Sequence, residues 1–480
     1  MVDHRWLLAL LLFANGLFFV LTIRAGHPWG DDFAHYLIHA RNLAEGKPYT
    51  DTGYVVIAEE VTLGPQNYPP AFPALLAPVY LTLGLNLTAF KLLEIASFIA
   101  YLFTLWYLLA SYLPPNWRLA AIALMGFQPW CWDFKDSILS DYPGLLFASL
   151  ALLMAQRLYA RVRSQSVIAG AIALGVLVFL AAETRATALA LLIAFPVYEL
   201  LRWRRLTAVS MVCAVVAVAM LALQRVVIDT SYPMSFDIRP QWLIANSLNY
   251  VKTLRTIWVS DYKIVSYLVY ALATGLGVYG VFKRGREAAG LFDLYAVFYM
   301  GVVAAYWVPG AYRYLLPVIP LYLAYMLAGL REITLTLPRP AAIAAITAGA
   351  AVAIAIFAGV YVHANWGAIR EGLADPEYLQ LSDFVKQHSG QSDITIFRKP
   401  RLLALTSERA SAIYPNHATP KEMDAFVHRL HPRYIAVGNV SHSDFDIDRA
   451  VLEPYVEQFQ SSLTRVWSSP HYALYQVIGW

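Results

Sequence analysis

Long apolar runs recur along the first three quarters of the chain and alternate with short polar segments. Eleven of these runs could cross, or nearly cross, the roughly 30 Å of hydrocarbon in a bilayer as helices. They lie at 6–23, 88–113, 118–132, 141–157, 165–182, 186–200, 207–226, 263–281, 290–308, 312–330 and 341–361. A further run at 71–85 contains Pro73 and Pro78, so we interpret it as an interfacial or re-entrant helix. The pattern predicts a polytopic α-helical membrane protein with about eleven transmembrane helices.

The pattern changes from about residue 366. Short β-rich runs at 394–397, 434–437 and 473–477 then alternate with amphipathic stretches at 376–388 and 420–430. We therefore predict a transmembrane domain at 1–365, whose first outer loop is 24–87, followed by a small soluble α/β domain at 366–480. A structural or lid role is the simplest interpretation of that second domain.

Composition and charge agree with a membrane protein. The 480 residues are 59% hydrophobic and only 14% charged, whereas an average soluble domain carries roughly 25% charged residues. The net charge is only +4, and the cationic residues lie between the apolar runs. This placement indicates topology control rather than binding to nucleic acid. Cys131 lies near the end of one run and Cys213 inside another. Their positions argue against a disulfide framework and against a cysteine metal site.

Basic clusters between the runs indicate the orientation. One of them contains Arg202, Arg204 and Arg205, and the positive-inside rule places such clusters in the cytoplasm. The first run lacks a cleavage site and is interpreted as an uncleaved anchor. With an odd number of spans, we predict a multi-pass protein of the cell inner (plasma) membrane, with a cytoplasmic N-terminus and an extracytoplasmic, periplasmic C-terminal domain.

Two adjacent acids, Asp31 and Asp32, follow the first apolar run. A carboxylate at the membrane–water boundary can act as a general base or bind a divalent cation. The alternative is that the two acids only start a helix, where aspartate is favoured. The polar loop that follows and a later acid, Asp141, favour a functional role.

Asp31, His35 and His39 are spaced so that they share one face of a helix. A histidine pair with this spacing can bind zinc, but Tyr36 stands where zinc proteases carry glutamate. We therefore favour packing or hydrogen bonding for the two histidines. If the protein uses a divalent cation, which the sequence leaves open, the candidate ligands are Asp31, Asp141 and His35.

The second outer loop, "CWDFKDSILSDYPG", contains Lys135 and ends at Asp141, which opens an apolar run. We expect Asp141 to face the same outer cavity as Asp31, where two carboxylates could share an acceptor or a metal ion. The alternative for Asp141 is an N-cap.

Two arginines lie close to predicted spans. Arg185 occupies the outer turn "AAETRATALALL", and Arg313 lies in "PGAYRYLLPVIPLY". An ionisable group at such a depth normally faces a cavity or a partner, and arginine suits a phosphate. The alternatives are an ion pair between Arg185 and Glu183, and an Arg313 side chain that only extends to the interface.

Four motifs, in this order, resemble those of the GT-C integral-membrane glycosyltransferases, such as the protein O-mannosyltransferases and aminoarabinose transferases. The motifs are "GDDFAHYLIHARNLAEGKPY", "YPPAFPALLAPVYLTLG", "SILSDYPGLLFASLALLMA" and "RYLLPVIPLYLAYMLAGL". The resemblance covers roughly residues 6–330. It implies an inverting transfer of a hexose or pentose from a polyprenyl-phosphate donor on the non-cytoplasmic face. In position, Asp31 resembles the catalytic base, Asp32 the acid beside it, and Asp141 the second-loop acid.

One position departs from the family pattern. Aminoarabinose-type members carry a lysine directly before Pro-Pro, and this chain has Tyr68. Lys135, Arg185 or Arg313 could supply the phosphate-contacting cation instead. We therefore assign Arg313, Arg185, Lys135 and Tyr68 to the donor phosphate or substrate.

The expected partners are a polyprenyl-phosphate sugar donor, membrane lipids and an acceptor that is a lipid, a glycan or a protein; no nucleic acid is expected. The alternative function is a transporter or flippase of lipid-linked saccharides. That function favours charges at the membrane midplane, whereas the acids of this chain are predicted at the outer surface.

Overall fold

The computed structural model describes residues 3–60, 63–161, 167–228, 230, 239–285, 290–305 and 312–478. The described chain is mostly helical and contains one mixed β-sheet. The helices are α1 (His4–Leu21), α2 (Asp32–Glu45), α3 (Ala71–Leu83), α4 (Leu87–Leu108), α5 (Pro115–Gly126), α6 (Pro129–Phe134), α7 (Asp141–Tyr159), α8 (Val167–Thr184), α9 (Ala190–Trp203), α10 (Ala208–Val227), α11 (Pro240–Leu254), α12 (Lys263–Arg284), α13 (Leu291–Ala304), α14 (Ile319–Thr336), α15 (Arg339–His363), α16 (Pro376–His388), α17 (Pro400–Ser407), α18 (Pro420–Leu430) and α19 (Glu453–Gln458). The strands are β1 (Tyr54–Val55), β2 (Thr395–Ile396), β3 (Ser411–Ala412), β4 (Tyr434–Gly438), β5 (Leu463–Ser468) and β6 (Tyr472–Val477).

The chain forms two compact units. The helical unit comprises 1–23, 91–227 and 234–366, and the sheet unit comprises 24–90, 228–233 and 367–480. The predicted division into 1–365 and 366–480 follows the order of the chain, whereas the sheet unit also includes the loop at 24–87. The reason is backbone pairing, because β1 pairs with β3 and Gly26 pairs with Ile369.

Seven of the described helical segments are long and apolar enough to cross a membrane. They are His4–Leu21, Leu87–Ser111, Val167–Thr184, Ala186–Trp203, Ala208–Val227, Lys263–Arg284 and Arg339–His363. The other four predicted spans coincide with α5 and α6, α7, α13 and α14, so the count of eleven stays a prediction. Helix α3 has 13 residues and is about 20 Å long, less than the hydrocarbon thickness.

The surface of the helical unit carries the apolar side chains that a bilayer requires. Ile264, Leu268 and Phe282 of α12 are exposed, as are Ile354 and Val362 of α15. Exposed apolar area on this scale is unfavourable in water and favourable against lipid. The protein is therefore a multi-pass membrane protein.

Helices α12 and α14 pack through glycines. A Cβ atom built on Gly329 would lie 1.9 Å from the Leu276 carbonyl oxygen, and one on Gly280 would lie 2.2 Å from that of Tyr325. Both neighbours are backbone atoms, so no side-chain rotation could relieve the overlap. Small residues allow this close approach of two helix backbones, as is common inside membranes.

The sheet unit is built around a six-stranded sheet in the order β1-β3-β2-β4-β6-β5. The pairs β1–β3, β3–β2 and β2–β4 are parallel, whereas β4–β6 and β6–β5 are antiparallel. Strand β2 leads into α17, whose first residue is Pro400. This helix packs against α2. The carboxyl end of a parallel strand is a common location for ligand sites in α/β sheets. Here the carboxyl end of β2 is connected through α17 to α2, the helix that begins at the acid pair.

We predict that Gly329→Ala destabilises the helical unit. The added methyl group must separate α12 from α14, and overpacking of this kind costs roughly 1–3 kcal/mol. The apparent melting temperature of the detergent-solubilised protein should fall. Gly359→Ala in α15 is the matched control because nothing lies within 4 Å of its added Cβ. Equal melting temperatures for the wild type and Gly329→Ala would contradict the close packing.

Candidate active site

The acid pair lies at the start of α2 in the sheet unit. Asp31 occupies the N-cap position and Asp32 is the first helical residue. The Asp31 carboxylate makes no capping hydrogen bond. Asp31 thus stands at the N-cap, as the alternative interpretation expected, but its side chain does not cap the helix. The preceding backbone is held by the N–H of Trp29, which donates to the Glu371 carboxylate at 2.8 Å.

Asp31 has an oxygen available for chemistry. Its Oδ1 atom is buried, and within the described ranges no group donates a hydrogen bond to it. Burial raises the pKa of Asp31, while Arg401 and Lys399 oppose the rise and the backbone N–H of Leu402 donates to the carboxylate. A desolvated carboxylate with a raised pKa is a stronger base than one in water.

Asp32 is committed to a different set of contacts. The Tyr68 hydroxyl donates to Asp32 Oδ1 at 2.7 Å. Arg401 Nη1 donates to the same Asp32 oxygen at 3.3 Å and to the Tyr68 hydroxyl oxygen at 2.7 Å. Burial also raises the pKa of Tyr68 well above its ordinary value, so it stays a neutral donor. Tyr68, predicted to contact substrate, thus lies directly beside the acid pair.

Arg401 is the residue that sequence reasoning missed. It follows the carboxyl end of β2 in "FRKPRLLALTS" and is almost fully buried, at 8% exposure. The available signal was the run of Arg398, Lys399 and Arg401 around a proline. That run gave no reason to connect it with Asp32, 369 residues away. The structure thus places a cation at Tyr68, the slot that differs from the family pattern.

The two histidines lie deeper along α2. His35 Nε2 is 3.2 Å from Thr52 Oγ1, and His39 Nδ1 is 2.8 Å from the Tyr49 carbonyl oxygen. The His39 ring also stacks on the Tyr49 ring, with centroids 4.1 Å apart. Burial lowers the pKa of His35 well below its ordinary value and that of His39 to about 4. Both imidazoles are therefore neutral near pH 7 and pack against the loop that follows α2.

The other predicted residues lie in the helical unit. Asp141 is the first residue of α7, where Ser140 is the N-cap, and it is 2% exposed. Arg185 Nη1 lies 2.7 Å from Asp141 Oδ1, and Arg313 Nε lies 3.5 Å from Asp141 Oδ2. Arg185, for which Glu183 was one suggested partner, thus pairs with Asp141.

These three side chains line one pocket of about 310 Å³, counted with its open mouth. Tyr295 and Tyr299 line it as well. Two guanidinium groups and one carboxylate leave a net charge of +1 in this pocket. Paired guanidiniums beside apolar and aromatic walls suit a phosphate carried by an apolar chain.

Lys135 is placed differently. It is fully buried, and its Nζ lies 2.7 Å from Asp136 Oδ2 and 4.6 Å from the centroid of the Trp132 ring. Asp136 also pairs with Lys91 Nζ at 3.4 Å. A buried ammonium needs such a partner because desolvation is costly. Lys135 is not among the residues that line the pocket of Asp141.

The described part of the chain contains no cluster of metal-binding side chains. Within it, no group of three or more His, Cys, Asp or Glu side chains could hold a metal ion. Of the three ligands considered, Asp31 and His35 belong to the sheet unit and Asp141 to the helical unit.

Comparisons with known proteins bear on the fold. No protein-family model matches the chain, and no curated protein matches its sequence. Among solved structures, arabinofuranosyltransferase AftD from Mycobacteria is 14% identical with a TM-score of 0.60, and the match covers 100% of this chain and 40% of AftD. The chain thus spans less than half the length of that protein.

Two further structures match over most of both chains. The oligosaccharyltransferase AglB from Archaeoglobus fulgidus, in complex with an inhibitory peptide and a dolichol-phosphate, is 8% identical with a TM-score of 0.61; 96% of this chain and 73% of AglB are covered. ArnT from Cupriavidus metallidurans, bound to undecaprenyl phosphate, is 13% identical with a TM-score of 0.55; 99% and 98% are covered. All three proteins are GT-C glycosyltransferases, so the resemblance seen in the sequence motifs is confirmed at the level of fold. The chain has the GT-C fold.

Proposed function

We propose that this protein is an inverting glycosyltransferase that moves a sugar from a polyprenyl-phosphate donor to an acceptor on the non-cytoplasmic face of the membrane. The observation that carries the proposal is the Asp31 carboxylate, which is partly desolvated and keeps Oδ1 unbonded within the described ranges. The GT-C fold supports it, since AglB and ArnT were solved with polyprenyl phosphates.

Asp31 is proposed as the general base. It takes the proton of the acceptor nucleophile as that atom bonds to the anomeric carbon of the sugar. The bond from this carbon to the phosphate oxygen breaks, and the polyprenyl phosphate leaves as an anion that needs no protonation. One carboxylate therefore suffices, in contrast to the two that glycoside hydrolases use. The proton passes from Asp31 to water after transfer.

Arg185 and Arg313 are proposed to hold the donor phosphate. Of the four residues assigned to this role, they are the two that line one pocket, while Lys135 is paired with Asp136 and Tyr68 with Asp32 and Arg401. Asp141 is proposed to orient Arg185, because their 2.7 Å contact fixes the guanidinium.

We propose the same topology as the sequence suggests. The protein would span the inner membrane about eleven times, with its N-terminus in the cytoplasm. The residues from 366 would form a soluble α/β domain on the opposite side. Supporting this are the basic clusters between the apolar runs and the strands and short helices between Pro376 and Val477. The acceptor would be a lipid, a glycan or a peptide.

We predict that Asp31→Asn strongly slows transfer. Loss of a general base typically costs 10²–10⁴-fold in rate, so kcat should fall by roughly that factor. The measurement uses purified protein in lipid vesicles, radiolabelled polyprenyl-phosphate sugars and a membrane extract as the source of acceptor. A parallel sample with chelator determines whether a divalent cation is required.

Asp51→Asn is the matched control, because Asp51 is an exposed acid in the loop that follows α2. It should transfer sugar at the wild-type rate. Equal transfer by Asp31→Asn and the wild type would remove Asp31 from the mechanism. No transfer from any donor, with lipid-linked sugar still crossing the vesicle membrane, would support the flippase instead.

We also predict that Arg185→Gln and Arg313→Gln weaken donor binding. A hydrogen bond to a charged group contributes roughly 1.5–3 kcal/mol, so the donor KM should rise by about 10- to 100-fold in each variant. Acceptor KM should change little. Arg157→Gln, an exposed arginine at the far end of α7, serves as the control. An unchanged donor KM in both arginine variants would place the phosphate elsewhere.

A further inference from the structure

One short segment after β2 contacts both acids of the candidate site. The Arg401 guanidinium donates to Asp32 and Tyr68, and one residue later the Leu402 backbone N–H donates to Asp31. This segment forms the first turn of α17, which begins at Pro400. Residues far along the chain therefore complete the environment of the acid pair.

The Arg401 guanidinium is bound to the first loop through its Nη1 and Nη2 atoms. Its Nη1 reaches the Tyr68 hydroxyl oxygen at 2.7 Å, and its Nη2 donates to the Leu63 carbonyl oxygen at 2.7 Å. The rings of Tyr54 and Tyr68 lie 5.1 and 5.5 Å from the guanidinium carbon. A planar group held on several sides has one orientation, and it fixes its partners in turn.

Charge explains why a cation is needed at this point. Asp31 and Asp32 are adjacent, and two nearby carboxylates in a desolvated site cannot both ionise easily. The groups that face Asp31 are Arg401, Lys399, Asp32 and Tyr378. Lys399 is already paired with Asp444. Arg401 is therefore the cation best placed to offset the negative charge of the two acids.

We infer that Arg401 is a positioning residue of the active site: it fixes Asp32 and Tyr68 at the start of α2 and so leaves the Asp31 carboxylate as the available base. The inference rests on the proposed function. It gives the C-terminal segment a direct part in the reaction, beyond the structural or lid role expected from its sequence.

The test compares Arg401→Gln, Arg401→Lys and the control Arg398→Gln in the transfer assay between pH 5 and 9. Arg398 lies three residues before Arg401, ahead of α17, and its guanidinium donates to Asn416 rather than to the acid pair. We expect Arg401→Gln to lower kcat by about 10- to 100-fold with little change in donor KM. The pH at which activity falls on the acid side should also move upward, because the neighbouring cation that opposes protonation of Asp31 is gone. Arg401→Lys should return that pH toward the wild-type value.

A second readout does not depend on activity. A water-soluble carbodiimide labels protonated carboxyl groups, and peptide fragmentation distinguishes Asp31 from Asp32. In Arg401→Gln, labelling of Asp31 should persist to higher pH than in the wild type. In Arg398→Gln it should follow the wild-type curve. Because labelling is measured on the purified membrane protein, it can be read even where no transfer is detected.

The outcomes separate the two hypotheses. A loss of kcat by the same factor at every pH, with unchanged labelling of Asp31, would reduce Arg401 to a structural residue and overturn the inference. Wild-type behaviour of Arg401→Gln beside an inactive Asp31→Asn would overturn the inference and leave the proposed function standing. Full activity of Asp31→Asn would overturn the proposed function itself.

Discussion

The buried guanidinium of Arg401 is the interaction on which the candidate site depends. Its partners are Asp32, Tyr68 and the Leu63 carbonyl, which lie more than 330 residues away in sequence. An arginine removed from water needs partners for its donors and its charge, and these groups bind its Nη1 and Nη2 atoms. Removing any one partner leaves a desolvated polar group. The hydrogen bonds and the ion pair of Arg401 thus hold the first loop to α17. The pairing of β1 with β3 also holds the first loop to the C-terminal segment.

The same constraint decides which of the predicted cations can meet a substrate. Lys135 is fully buried, pairs with Asp136 and does not line the pocket of Asp141. Arg185 and Arg313 both pair with Asp141 and line an open pocket. That pocket keeps an excess positive charge, which is the condition for attracting an anion. Burial and pairing, rather than residue type, distinguish a structural cation from a binding one.

Much of the architecture could be predicted from the sequence because it follows from local patterns. Apolar runs predicted the helices, and the adjacent acids Asp31 and Asp32 after the first run indicated a candidate site. The division of the chain could not be predicted, since β1 is only Tyr54–Val55 and two residues carry no periodic signal. Arg401 was missed for the same reason: its role depends on which distant segments pair. Sequence identities of 8–14% to proteins of the same fold show that this fold tolerates wide divergence of its residues.

Adjacent carboxylates acquire different roles when their surroundings differ, and the acid pair follows this rule. Asp32 accepts hydrogen bonds from Tyr68 and Arg401, so its lone pairs and its orientation are committed. Asp31 gains the electrostatic benefit of the same arginine without a hydrogen bond to it, and its Oδ1 stays available within the described structure. Asp32 therefore binds the Arg401 guanidinium directly, while Asp31 interacts with the charge of Arg401 at a distance. A base that is near a cation but not hydrogen-bonded to it keeps its acceptor oxygen for the proton that the reaction delivers.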